Sequence, residues 1–167
     1  MKSLLAATAA LFLAAAGSAY GQAATAPKMQ EFINAAAIGD LVEIEASKLA
    51  LMKADNPKSK QFAQKMIDDH TETSKELKAL VVGGKVKATM PTAWDRAQQA
   101  KFDEMSSLKS ADFTRQYNAL QVAAHKEAVS LFDRYAKGGD NADLKAFAAK
   151  HLPHLREHLK LAEALDK

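Results

Sequence analysis

Three helix-stopping signals cut this chain into long segments and leave few folds open to it. Asp55-Asn56-Pro57, Gly83-Gly84 and Gly138-Gly139 each hold residues that end a helix, and proline is tolerated in a first helical turn but not in a helix interior. Between these signals apolar residues recur at helical spacing, and no stretch alternates apolar with polar residues as a half-buried strand would. The pattern predicts long helices over about 29–54, 57–82, 110–138 and 142–165, and a shorter amphipathic piece over about 92–108. Short connections make hairpins of the first and last pairs, and residues 83–109 become a long crossover. The expected fold is all-α: a ferritin-like antiparallel four-helix bundle with a short extra helix in the crossover connection.

The N-terminus reads as a targeting segment. Met1-Lys2 is a short positive region, Leu4 to Ala16 an apolar one, and Ala19-Tyr20-Gly21 a small-residue cleavage site, the order of a secretory signal peptide over residues 1–21. Residues 22–28 are expected to form a disordered linker and residues 29–167 the bundle domain. No cysteine lies anywhere in the 167 residues, so disulfides, thiolate metal ligands and cysteine nucleophiles are excluded. The formal charge of +3 is spread along the chain, without the basic stripe or arm of a nucleic-acid binder. Periplasmic or secreted localisation follows, with outer-membrane association compatible and no transmembrane segment expected in the mature chain.

Polar groups on otherwise apolar helical faces supply the candidate site. His70 falls near the middle of the arc formed by Phe62, Ala63, Met66, Leu77 and Val81. On helix 1 the arc is read as Ile38, Leu41, Val42, Leu49 and Met52, with Glu45 inside it and Glu43 pointing away. His125 lies at the shoulder of a face made by Phe113, Tyr117, Leu120, Ala124, Ala128, Leu131 and Tyr135, and His151, His154 and His158 lie on helix 5 with Pro153, which should kink or break that helix. At ~1.5 Å rise per residue, Glu45, His70 and His125 lie ~16–21 Å from their hairpin turns, His151 ~18 Å and His158 ~28 Å. With the two turns at opposite ends of the bundle, these groups approach a common mid-plane.

A carboxylate and two or three imidazoles in an apolar interior suit one divalent transition metal ion such as Zn, Fe, Mn or Cu. A ferritin-type di-iron centre does not fit, because Ile67, Val122 and Leu155 stand three residues before His70, His125 and His158, where a Glu-x-x-His motif needs glutamate. The same groups also suit a structural hydrogen-bond network that fixes helix register in a non-catalytic envelope module. No nucleophile motif accompanies them. Asp68 and Asp69 read as a solvated helix edge, and Trp94, Phe102 and Met105 as a cap over the core.

The chain resembles the domain of unknown function 4142 family, secreted bacterial proteins placed in the ferritin-like superfamily. The resemblance rests on Glu43-Ile44-Glu45 with Lys48-Leu49-Ala50, on Phe62-Ala63, Met66 and Asp69-His70, on His125 with Leu131-Phe132, and on Phe147-Ala148, Leu152-Pro153, Leu155, His158 and Leu159. It implies a bundle fold and an envelope compartment, and a site set of Glu45, His70, His125 and His158 that leaves out His151 and His154. It implies no activity.

Overall fold

The computed structural model of the protein describes residues 25–165; the signal segment 1–21 and the first part of the linker lie outside them. Five helices follow in order: α1 (Met29–Lys53), α2 (Pro57–Val82), α3 (Arg96–Ser107), α4 (Ser110–Gly138) and α5 (Ala142–Ala162). The expected start and stop signals set their ends. Asn56 caps α2 by accepting from the Lys58 amide at 2.9 Å, with Pro57 in the first turn. Asn141 caps α5 by accepting from the Leu144 amide at 3.0 Å. Gly83 ends α2, and Gly84 takes φ +76°, a left-handed conformation that glycine adopts without a Cβ penalty. Asp95 and Gln98 cap α3 reciprocally. Ser110 is the first residue of α4, which Lys109 precedes without a side-chain cap, and α5 runs through Pro153 as one helix where a short break was an alternative.

Helices α1, α2, α5 and α4 pack in a ring, each antiparallel to the next. The crossover returns the chain from the end of α2 to the other end of the bundle, so the two hairpin turns lie at opposite ends. It is tied at one end by Gln30 to the Thr89 backbone, and at the other by the Lys53 ammonium, which donates to the carbonyls of Ser106 and Leu108. Within it, Trp94 packs on Phe102 at 4.6 Å while Met105 is buried in the core.

The core is two apolar clusters rather than one. The first gathers Phe32, Ile33, Leu77, Phe132, Tyr135, Leu144 and Phe147, with Phe32 stacked on Tyr135 at 4.0 Å. The second, at the opposite end, gathers Ala46, Ala50, Phe62, Met66, Phe113, Tyr117 and Ala162. Each large side chain buried this way stabilises the fold by about 1.5–3 kcal/mol. Between the clusters lies a buried polar layer: Asp40 and Glu43 from α1, His70 and Thr73 from α2, Gln121 and His125 from α4, His151 and His158 from α5.

The expected face of α1 is corrected by this packing. Its buried side is Phe32, Ile33, Ala36, Ala37, Asp40, Glu43, Ala46, Ser47 and Ala50, on the far side of the wheel from the predicted arc, and Met52 is 71% exposed. Small side chains let α1 sit close to its neighbours, so its bulkier aliphatics point partly outward. On α4 the buried face is likewise rotated, with Gln121, His125 and Phe132 buried and Leu120, Ala124 and Leu131 only half-buried.

Candidate metal centre

Each of three helices delivers one histidine to the polar layer. One ring nitrogen from each of His70, His125 and His158 lies within 4.8 Å of those of the other two, and the three ring centroids are 5.4–5.6 Å apart. All three side chains are buried, His125 to 1% and His158 to 2% exposure.

Their hydrogen bonds are of one kind. His70 Nδ1 donates to Asp40 Oδ1 at 2.8 Å, His125 Nδ1 to the Gln121 carbonyl at 2.9 Å, and His158 Nε2 to Asp69 Oδ2 at 2.7 Å. An oxygen acceptor fixes the proton on that nitrogen and leaves the other with a lone pair. The other nitrogens, His70 Nε2, His125 Nε2 and His158 Nδ1, are buried and have no hydrogen-bond partner in the protein. Of the nine such side-chain atoms among the described residues, all but Trp94 Nε1 belong to this layer; the rest are Asp40 Oδ2, both oxygens of Glu43 and both polar atoms of Gln121. An unsatisfied buried polar group costs ~1–3 kcal/mol, so their concentration in one layer calls for a shared partner.

Electrostatics keep two of the rings neutral. Burial pushes His125 down to about 3, helped by the charge of His70, and pushes His158 down to about 4 against the bond to Asp69. Burial acts on His70 in the same sense, but the Asp40 bond and the nearby Glu43 outweigh it and raise it. Asp40 is raised as well, by burial, so the Asp40–His70 pair holds on to a proton. Burial also raises Glu43, which His70 only partly offsets.

The site can close on an ion with small movement. One nitrogen of each ring lies within 4.8 Å of the others, so an inward shift of about an ångström would let all three hold one ion at ordinary metal–nitrogen distances of ~2.0–2.1 Å.

The structure does not bring Glu45 to this cluster. Its side chain is half-exposed and pairs with Lys48 at 2.6 Å, because the buried face of α1 runs through Asp40 and Glu43. Glu43, read from the sequence as pointing away, is 4% exposed, with Oε1 3.8 Å from His125 Nδ1. Asp69 is no bystander on a helix edge either, since it bridges Lys65 and His158. Asp68 is exposed and accepts from Gln64. His151 is buried but has both nitrogens engaged, Nε2 with Glu76 at 2.9 Å and Nδ1 with Thr73 at 3.5 Å, and His154 is exposed. A signal for Asp40 and Glu43 exists in the sequence: they lie on the face shared by Ala36, Ala37, Ala46 and Ala50, where helices approach closely.

The chain matches the family described as Domain of unknown function (DUF4142) over residues 14–165, and it belongs to that family. No curated protein matches it. Among solved structures it is similar to CopM in the Cu(I)-bound form, with a TM-score of 0.67 and 17% identity over 83% of this chain and 94% of that one. It is also similar to CopM in the Cu(II)-bound form (TM-score 0.63, 18% identity, 81% and 93% coverage) and in the Ag-bound form (0.63, 20%, 81% and 92%). At this identity the likeness is one of fold. Among the described residues no helix is long and apolar enough to cross a membrane.

Proposed function

We propose that the protein is a metal-handling bundle of the cell envelope that holds a copper ion through His70, His125 and His158. The observation that carries this reading is the pairing of the three rings: each gives one nitrogen to an oxygen acceptor and leaves its other nitrogen buried and unpartnered, in rings whose centroids are 5.4–5.6 Å apart. A network that only fixed helix register would use both nitrogens, as His151 does.

Copper is favoured on two grounds. Imidazole donors suit copper and zinc, and copper heads the order of affinity among divalent first-row metals. The similar fold of CopM is one that holds Cu(I), Cu(II) and Ag. Burial on all sides suits retention of an ion rather than turnover of an organic substrate, which fits metal handling or protection of the envelope under metal stress. The expected signal peptide over residues 1–21 supports a role outside the cytoplasm.

The test is the metal content of untagged mature protein isolated without chelators from its own envelope. Near-stoichiometric copper is expected. Protein without metal, whose melting temperature ignores added copper and zinc, supports the alternative of a structural hydrogen-bond network.

A further inference from the structure

Three walls of the polar layer supply a histidine, from α2, α4 and α5, and the fourth wall is α1. Two carboxylates of α1 face inward. Asp40 is committed, since its Oδ1 accepts from His70. Glu43 is less so: it is 4% exposed, neither oxygen has a partner at full hydrogen-bond geometry, the side-chain amide of Gln121 lies beside it, and Oε1 stands 3.8 Å from His125 Nδ1. That amide is on the same helix as His125 and is fully buried.

We propose that Glu43 is the fourth ligand of the histidine site, an oxygen donor that gives it a preference for divalent over monovalent ions. The inference rests on the metal reading above and adds to it a donor that helix periodicity had assigned to the outside. A glutamate with only a neutral amide beside it inside a close-packed bundle is costly unless something else uses its charge. An ion drawn toward the three imidazoles would be that partner. The chemistry then sets the preference. Three neutral nitrogens suffice for a soft monovalent ion such as Ag(I), whereas Cu(II) and Zn(II) carry a second charge into a low-dielectric interior and gain from a carboxylate that compensates it.

The test compares Cu(II), Zn(II) and Ag(I) dissociation constants for the wild type and Glu43→Gln, which keeps the shape and removes the anionic donor. The expected result is a loss of tenfold or more for Cu(II) and Zn(II), with Ag(I) changed less than threefold. Equal changes for all three ions, or none, overturn the role of Glu43 while leaving the histidine site standing. A wild type that takes up none of the three overturns both. Should Glu43→Gln fail to fold, the wild type alone decides: an infrared difference spectrum between Cu(II)-loaded and metal-free protein must show a carboxyl band that shifts with carbon-13 labelling of glutamate and is missing from the Ag(I) difference. Absence of that band overturns the proposal.

Discussion

Asp69 accepts a 2.7 Å hydrogen bond from His158 Nε2 while its own side chain remains 35% exposed, so it alone among the acceptors that orient the three rings reaches solvent. Partial burial works against its ionisation, but the bonds from Lys65 and His158 outweigh it and hold the carboxyl below its usual range. Groups that orient metal-binding histidines contribute ~10–100-fold to affinity. Asp69→Ala should weaken copper binding by that factor, and Asp69→Asn, which keeps an acceptor oxygen, by less. Competition titration with a chromophoric chelator reads both, and unchanged affinity in the alanine variant contradicts the orienting role.

Proton competition should come mainly from one ring. His125 and His158 are pushed down to about 3 and about 4, so between about pH 7 and pH 5.5 they carry no proton for a metal to displace. His70 is raised, by its bond to Asp40 and the charge of Glu43 against the effect of burial, so it is the ring on which a proton competes with the ion in this range. Ag(I) affinity is expected to fall by about tenfold per pH unit there, a slope near one. A slope near three would mean that all three imidazoles titrate together.

His125→Leu should separate stability from binding. The substitution removes a buried nitrogen without a partner, and the Gln121 carbonyl that loses the ring stays within α4. The metal-free variant is expected to be more stable by about 1 kcal/mol or more in urea unfolding, and to bind no copper. The sign with pH follows from the lowered folded value. Below an unfolded value of 6.5 the unfolded chain takes up a proton that folded His125 refuses, so the penalty removed by leucine grows as pH falls from 6.5 toward 3. A gain that shrinks on acidification would contradict the neutral, buried state of this ring.

Glu45→Ala should be silent. Its pair with Lys48 is solvent-exposed, a geometry worth ~0–1 kcal/mol, and the side chain stands outside the polar layer. Copper affinity within twofold of wild type is expected by the same titration, and a tenfold loss would place Glu45 in the site after all.

The contrast between α1 and the other helices shows what the sequence could convey. Helix ends were legible because Asn56, Pro57, Gly83-Gly84 and Asn141 act within a few residues of themselves, and the bundle followed from helix lengths and the long crossover. His70 was legible as buried because Phe62, Met66 and Leu77 around it are large. On α1 the sense is reversed: alanines and two acids face inward, and Ile38, Leu41, Val42 and Leu49 are only half-buried. A hydrophobic wheel weights size, while close helix packing selects smallness. That is why Glu45 was placed inside and Glu43 outside. Asp69 was legible as a helix edge but not as a partner of His158, since 89 residues separate the two and only the tertiary fold joins them.

Copper stoichiometry and affinity in the wild type, His125→Ala and His151→Ala, measured side by side on metal-free protein, test the central claim most directly. His125 and His151 are both buried histidines of the same layer, but only His125 has a nitrogen left free. One tightly held ion in the wild type and in His151→Ala, and none in His125→Ala, is the predicted result. Equal binding in all three, or binding in none, would contradict a metal site built from His70, His125 and His158.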